Sequence, residues 1–199
     1  MKEFSKIIAG TMTWGSWGKS FDTSGMQQLM EQCVDLGVTT FDHADIYGGY
    51  STEEDFGKAL SQSSIQREKI QLITKCGIQY PSENRPLEIK HYDYSKEHIV
   101  WSVEESLKNL RTEYVDLLLL HRPSPLMRGE EIAAAIDQLR KQGKVKHFGV
   151  SNFTASQTQL LQKHIAVEAN QIEFSLSSHE AMLDGTLDFM QLNDIRPMA

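Results

Sequence analysis

Several apolar runs in this chain end on residues whose side chains can take part in chemistry. These strand ends carry Asp42 with Tyr47, Lys75, His121, Ser151 with Asn152, and Asn170 with Gln171. A parallel strand buried on both faces reads as a continuous apolar run, and polar groups at the carboxyl ends of such strands point into a shared cleft. The recurrence therefore indicates one active site assembled from several strands.

Four of these side chains could together promote the reduction of a carbonyl group by a hydride donor. The reaction needs hydride on one side and a proton for the developing alkoxide on the other. A free phenol has a pKa of about 10, so Tyr47 could supply the proton near neutral pH only if a cation stabilised its phenolate. Lys75, at the end of the next strand, could be that cation. Asp42 would then fix and neutralise the lysine, and His121 could orient the substrate oxygen.

Amide side chains at two later strand ends favour binding of a nicotinamide ring. Asn152 and Gln171 can both hydrogen-bond the carboxamide of such a ring, and Ser151 adds a hydroxyl. No cluster of metal-ligating residues stands out, so no metal is expected.

Each assignment has a structural alternative. Asp42 with Lys75 could be an ordinary buried ion pair, and His121 could be a core histidine that its neighbours satisfy. The acids at 53–55 and 130–131 fall in first turns of predicted helices, where they suit the helix dipole. Three further polar residues are interpreted as packing behind the site: His43, Asp45 and Cys76.

Strands and helices alternate along the chain. The predicted strands cover residues 6–11, 38–43, 70–75, 114–120, 145–150 and 167–172. Helices lie between them, one after the N-cap Ser95 and one after the capping box Thr154–Gln157. Such alternation predicts right-handed βαβ units and a parallel sheet. The turn Gly10–Gly15 lacks the glycine spacing of an open dinucleotide-binding sheet. Residues that can take part in chemistry stand at nearly every strand end, which favours a closed barrel.

Composition is that of an ordinary globular enzyme. The chain has 199 residues and a net charge of −7, and it lacks the basic footprint that nucleic acids or anionic membranes require. No apolar run approaches the roughly 20 residues of a membrane span, and no signal peptide is visible, which favours the cytoplasm. The spacing of Cys33 and Cys76 suggests two reduced thiols.

At the strand ends that carry the candidate catalytic and nicotinamide-binding residues, the chain resembles the aldo-keto reductases. The segment Phe41–Gly48 is similar to the family's aspartate and tyrosine segment, Ile73–Lys75 to its lysine strand, and Leu119–Pro123 to its histidine strand. Gly149–Phe153 and Asn170–Gln171 resemble its nicotinamide-binding segments. The motifs occur in order along the chain, and His43, where many members have threonine, is typical of the bacterial general-oxidoreductase branch.

The resemblance implies a fold, a cofactor and a set of site residues. It implies one α/β domain over residues 1–199 with a TIM (β/α)8-type barrel, NADPH as cofactor, and a small carbonyl compound as substrate. It also implies a monomer when full length, with neither nucleic acid nor membrane as partner. The catalytic residues would be Asp42, Tyr47, Lys75 and His121. The cofactor contacts would come from Thr11, Met12, Ser151, Asn152 and Gln171.

The number of elements is smaller than a complete barrel requires. Such a barrel has eight strands and about 250 residues, whereas this sequence predicts about six full strands and, at Ile195–Ala199, the start of a seventh. We therefore expect a C-terminally truncated domain that is poorly stable alone and has lost most of its cofactor affinity. Two alternatives to a reductase stay open: a non-catalytic nicotinamide-binding regulatory subunit, and an inactive remnant.

Two loop regions have no single interpretation. Met12, Trp14 and Trp17 could wall an apolar substrate pocket or be exposed loop residues. The polar, proline-broken segment 80–94, which we call the 80–94 loop, could cover substrate or be a simple insertion.

Overall fold

The computed structural model describes residues 4–199, which form alternating strands and helices. The nine strands are β1 Ile8–Gly10, β2 Thr40–Asp42, β3 Gln71–Cys76, β4 Ile78–Gln79, β5 His91–Tyr92, β6 Val115–Leu120, β7 Val145–Ser151, β8 Ala169–Gln171 and β9 Arg196–Met198. The six α-helices are α1 Thr23–Asp35, α2 Thr52–Gln62, α3 Lys96–Leu110, α4 Gly129–Lys141, α5 Ala155–Gln162 and α6 Thr186–Leu192.

Seven of the strands form one parallel sheet that follows the order of the chain. The order is β1-β2-β3-β6-β7-β8-β9, and every neighbouring pair is parallel. Within residues 4–199, β1 and β9 are not paired with each other, so the curled sheet is an incomplete barrel. The predicted α/β barrel-type fold is therefore confirmed, and its seventh strand pairs with β8 through Ala169 and Arg196.

The core has one layer on each face of the sheet. Between the sheet and the helices lie buried residues such as Phe41, Leu118 and Ile136, and inside the curl lie Ile73 and Leu117. Successive side chains of a strand point to opposite faces. Lys75 therefore shares the inner face with Ile73, two residues before it on β3.

Local signals account for several element ends. Ser95 caps α3 by accepting a hydrogen bond from the backbone N–H of His98, and the predicted capping box Thr154–Gln157 is present at the start of α5. Two short helical pieces precede β9. A 3₁₀ turn covers Glu180–Met182 and α6 follows it, and between them Gly185 has a φ of +82°, which interrupts the helical backbone.

The 80–94 loop contains a short strand that the sequence did not predict. This strand, β5, forms an antiparallel pair with β4, in which Ile78 faces Tyr92 and Gln79 faces His91. Two-residue strands are too short to show a period, so the pattern could not reveal them. Among the described residues, no helix is long and apolar enough to cross a bilayer.

Gly57 offers a test of how α2 and α3 pack. A Cβ atom at this position would lie 2.8 Å from the carbonyl carbon of Leu110, and closer still to the carbonyl oxygen of Asn109. Alanine normally stabilises a helix by up to about 1 kcal/mol over glycine. Here we expect Gly57→Ala to lower the free energy of unfolding by about 1–3 kcal/mol, because the helices must separate.

Chemical denaturation followed by circular dichroism measures the effect. Gly10→Ala is the matched control, since an added methyl group meets no atom within 4 Å there. Equal midpoints for Gly57→Ala and the parent chain would contradict this description of the α2–α3 contact.

Candidate active site

The ammonium group of Lys75 lies at the centre of the site. Its Nζ atom donates to both carboxylate oxygens of Asp42, at 2.8 and 2.7 Å, to the carbonyl oxygen of His43 at 2.8 Å, and to the phenol oxygen of Tyr47 at 3.1 Å. Lys75 is only 2% exposed and Asp42 7%. A buried charge of this kind is stable only when its partners surround it.

The register of the sheet places Asp42 and Lys75 together. Asp42 ends β2 and is paired with Ile73 of β3, so Lys75 lies two residues further along the neighbouring strand and on the same face. A backbone hydrogen bond also joins the two segments, because the N–H of Asp45 donates to the carbonyl oxygen of Lys75 at 3.1 Å. Strand pairing thus brings the charges together.

Tyr47 reaches the lysine from a tight turn after β2. A 3₁₀ turn covers Tyr47–Gly49, and the residues Gly48, Gly49 and Tyr50 all have positive φ, at +62°, +64° and +73°. The Tyr47 ring lies edge-on to the ring of His121, with 6.1 Å between centroids, and 6.2 Å from that of Trp17. The phenol oxygen therefore lies between a cation and an imidazole.

His121 follows β6 and is uncharged near neutral pH. Burial, with the positive charge of Lys75 as the next cause, lowers the pKa of His121 to about 3. Its Nδ1 atom is buried and has no hydrogen-bond partner among the described residues. The backbone holds it in place: the N–H of His121 donates to the carbonyl oxygen of Cys76 at 3.0 Å, and the hydroxyl of Tyr94 bonds both backbone groups of Arg122.

The three side chains predicted to bind nicotinamide lie at adjacent strand ends. Gln171 reaches the ion pair of Lys75 and Asp42, where its Nε2 donates to Asp42 Oδ2 at 3.2 Å. Asn152, with a φ of +55°, donates from Nδ2 to the hydroxyl of Ser151 at 3.2 Å and accepts at Oδ1 from the N–H of Glu173. Each amide nitrogen carries two N–H groups, so one on each remains for a ligand. The donor set therefore fits a carboxamide.

The other sequence candidates take different positions. The buried hydroxyl of Thr11 donates to the carbonyl oxygen of Asp42 at 2.9 Å and lies 2.9 Å from Nδ1 of His43, so it braces the end of β2. Met12, the residue after Thr11, is 46% exposed. Asn170 is committed inside the fold, since its Nδ2 donates to the carbonyl oxygen of Phe153 at 2.8 Å.

The two tryptophans of the first loop have separate roles. Trp14 is buried in the core against Phe41 and Phe56, so it is neither a pocket residue nor an exposed loop residue. Trp17 is 40% exposed and lies against Tyr47, and its ring is also edge-on to Tyr80 at 5.5 Å. These three rings form an aromatic wall beside the Lys75 ammonium, and it includes the first residue of the 80–94 loop.

A buried acidic layer lies behind β3, and of its two residues the sequence predicted only Asp45 to pack there. Glu53, interpreted from the sequence as a dipole-facing acid of α2, is 2% exposed and accepts a hydrogen bond from the hydroxyl of Thr74 at 2.6 Å. Asp45, 5% exposed, accepts from the hydroxyl of Ser102 at 2.9 Å, and its Oδ1 has no partner among the described residues. The signal was available in part, because Thr74 alternates with Lys75 on β3.

His43 and Cys76 pack behind the site as the sequence predicts. The ring of His43 is fully buried and edge-on to Phe56, and burial with the charge of Lys75 lowers its pKa to about 3. Burial raises the pKa of the Cys76 thiol well above its usual value, so this cysteine is inert. Both cysteines are free.

Comparisons with known proteins agree on one family. The model of the aldo/keto reductase family matches residues 6–199. The chain is 48% identical to the uncharacterized oxidoreductase YcsN of Bacillus subtilis and 45% identical to the oxidoreductase YdhF of Escherichia coli, over 99% of its own length in both cases. It spans 66% of the length of each of these relatives.

Other similar proteins include named enzymes and a channel subunit. A 6-dehydroglucose reductase of Agrobacterium fabrum is 42% identical over 98% of this chain and 68% of its own length. A putative voltage-gated potassium channel subunit beta of Schizosaccharomyces pombe is 31% identical over 83% of this chain and 46% of its own length. The solved glycerol dehydrogenase of Gluconobacter oxydans superposes with a TM-score of 0.86 at 26% identity, over 99% of this chain and 60% of its own length.

Asp45 predicts a distinctive pH dependence of stability. Burial, followed by repulsion from Glu53, raises the pKa of Asp45 from 3.8 to about 7. A pKa raised by folding gives stability that is fully present below pH 3.8 and is lost as the pH rises through 7. We therefore expect Asp45→Asn, which needs no proton, to gain stability relative to the parent between pH 5 and 8, by on the order of 2–4 kcal/mol.

Denaturant titrations at several pH values measure this difference. Asp137→Asn, at an exposed position on α4, is the control and should run parallel to the parent. A difference in the free energy of unfolding between Asp45→Asn and the parent that stays constant from pH 5 to 8 would contradict the prediction, because Asp45 would then be ionised over the whole range.

Proposed function

The chain belongs to the aldo/keto reductase family, and on that premise we propose that it carries out NADPH-dependent reduction of an aldehyde or ketone to an alcohol. Tyr47 is the general acid of this reaction in our proposal. The observation that carries it is the position of the Lys75 ammonium, which hydrogen-bonds the Asp42 carboxylate and the Tyr47 phenol at once.

The geometry supports a proton transfer from Tyr47. The Lys75 ammonium donates to the phenol oxygen, which leaves the phenol proton free to be given to another acceptor. A hydrogen bond from a cation favours the phenolate that remains after that transfer. Asp42 keeps the lysine charged and fixed, so it acts on Tyr47 through Lys75.

His121 is proposed to orient the substrate. With a pKa of about 3 its ring is neutral, so it has one N–H donor and does not compete with Tyr47 as an acid. The ring lies 6.1 Å from that of Tyr47, which allows one carbonyl oxygen to receive hydrogen bonds from both side chains. Trp17 would face the apolar part of the substrate.

The family generally uses NAD(P)H, and we propose NADPH for this chain. When bound, the cofactor supplies the hydride that reaches the carbonyl carbon. Ser151, Asn152 and Gln171 would hold its carboxamide and so fix the face that the ring presents. Met12, with its half-exposed side chain, is a better candidate for contact with the cofactor than Thr11, whose hydroxyl already has two partners.

The relatives suggest which carbonyl compounds to test first. Because one similar protein is a 6-dehydroglucose reductase, we propose small carbonyl compounds that include oxidised sugars. We further propose a cytoplasmic location, where free thiols such as Cys33 and Cys76 stay reduced.

A non-catalytic regulatory subunit is the second candidate. Its support is the similarity to the putative potassium channel subunit beta of Schizosaccharomyces pombe. Such a subunit would bind cofactor, and its function would not need a proton from Tyr47. Turnover by the parent chain that is lost in Tyr47→Phe therefore separates the two functions.

Tyr47→Phe tests the catalytic assignment. We expect a loss of turnover of about 10²–10⁴-fold, the usual contribution of a general acid, with cofactor affinity unchanged. Oxidation of NADPH with a panel of aldehydes and oxidised sugars measures turnover, and quenching of cofactor fluorescence measures binding. Tyr80→Phe is the control, because the variant keeps a ring in the aromatic wall. Reduction by Tyr47→Phe at the parent rate would refute the assignment.

Gln171 tests the nicotinamide site. We expect Gln171→Ala to weaken NADPH binding by about fivefold, since one amide hydrogen bond is worth about 1 kcal/mol. Gln79→Ala is the control, because Gln79 lies on β4 and bonds His98. Calorimetric titration with NADPH and NADH measures both variants. Unchanged affinity in Gln171→Ala would remove this residue from the cofactor site.

A further inference from the structure

The guanidinium group of Arg85 lies between two aromatic rings on the outer side of the site. Its central carbon is 3.8 Å from the ring centroid of Tyr50 and 4.3 Å from that of Trp101 on α3. Arginine stacks on aromatic faces through its plane and its charge, which fixes its orientation better than a lysine contact does. Arg85 therefore ties the 80–94 loop to both α3 and the turn that contains Tyr50.

That turn carries Tyr47 and has an unfavourable backbone. Gly48, Gly49 and Tyr50 are consecutive and all left-handed, with φ of +62°, +64° and +73°. Glycine adopts this region freely, but a residue with a side chain does so at a cost of about 1 kcal/mol or more. The surrounding structure must therefore hold Tyr50 in this conformation.

The 80–94 loop supplies the contacts that hold it. The backbone N–H of Tyr80 donates to the hydroxyl of Tyr50 at 2.7 Å. Asn84 donates from Nδ2 to the carbonyl oxygen of Gly49 at 2.8 Å, and the hydroxyl of Ser82 donates to the same oxygen at 3.3 Å. The loop is thus docked on the turn by backbone and side-chain groups.

The charge of Arg85 also acts on the other end of the same segment. Asp45, two residues before Tyr47, is buried, and the positive charge of Arg85 opposes the effect of burial on its pKa and on that of Glu53. One guanidinium nitrogen of Arg85 and Oδ1 of Asp45 are both buried without a hydrogen-bond partner among the described residues. Arg85 therefore stacks on Tyr50 after Tyr47, and its charge acts on Asp45 before it.

We propose that Arg85 is a positioning residue that holds the phenol of Tyr47 against the Lys75 ammonium by fixing the turn at Tyr50. The 80–94 loop is accordingly a brace for the catalytic turn, and it is not a lid over the substrate. Loss of the stacked guanidinium lets the turn relax from its left-handed conformation, and the hydrogen bond between Lys75 and Tyr47 weakens. The proposal rests on the function proposed above, because it assigns Tyr47 the role of acid.

The test follows the surroundings of the Tyr47 phenol directly, by NMR of chains labelled with ¹³C at the tyrosine ring carbon that bears the hydroxyl. Tyr47→Phe identifies the resonance among the six tyrosines. In the parent chain we expect a Tyr47 resonance that the contact with Lys75 sets apart from those of exposed tyrosines. In Arg85→Ala this resonance should move toward the exposed tyrosines and turnover should fall by about tenfold, because a misplaced catalytic group slows the chemical step.

Arg67→Ala is the matched control. Arg67 is also stacked on a tyrosine, with 4.0 Å between its central carbon and the ring centroid of Tyr114, but it precedes β3 at the other end of the sheet. Its loss should lower the unfolding midpoint and leave the Tyr47 resonance in place. Arg85→Lys keeps the charge and loses the planar stack. It should move the Tyr47 resonance in the same direction as Arg85→Ala, which keeps the test available if the alanine variant does not fold.

The outcomes separate this proposal from the function it rests on. If Tyr47→Phe turns over at the parent rate, the acid role proposed for Tyr47 fails. If that variant is inactive but both Arg85 variants keep the parent resonance and the parent turnover, the acid role stands and the positioning role of Arg85 is refuted. A shift as large in Arg67→Ala as in Arg85→Ala would also refute it, because the effect would then be one of general stability.

Discussion

The buried ammonium group of Lys75 is the constraint on which the rest of the structure depends. An isolated charge in a protein interior costs many kcal/mol, so it must be met by a countercharge and hydrogen bonds in fixed places. Asp42, the carbonyl oxygen of His43 and the phenol of Tyr47 meet it from one continuous segment that begins at the end of β2. Any change that misplaces this segment leaves the charge unpaired, which links the geometry of the candidate site to folding stability.

Much of this site can be predicted from the sequence through strand pairing and side-chain alternation. The apolar runs before Lys75 and His121 predict buried strands, and because the ends of parallel strands meet at one edge, both residues are predicted to lie in one cleft. The same reasoning could assign Gln171 to the cleft. It could not show that Gln171 bonds Asp42, because that contact spans 129 positions and depends on the curl of the sheet.

What the sequence did not reveal lies where short-range patterns carry no information. The β4–β5 pair is two residues long on each side, and a period of two cannot be read from so few positions. The burial of Glu53 was hidden because acids in a first helical turn are usually solvated. The stacking of Arg85 on Tyr50 depends on the path of a long loop, which local propensity does not determine.

The alternation along β3 has a consequence for how the sheet forms. Ile73 and Lys75 face the interior of the curl, whereas Thr74 turns outward to meet Glu53. A slip of one residue would turn Lys75 toward the helices and leave Asp42 without its cation. The ion pair of Lys75 and Asp42 therefore favours the correct register of the sheet, since only that register brings the two charges together.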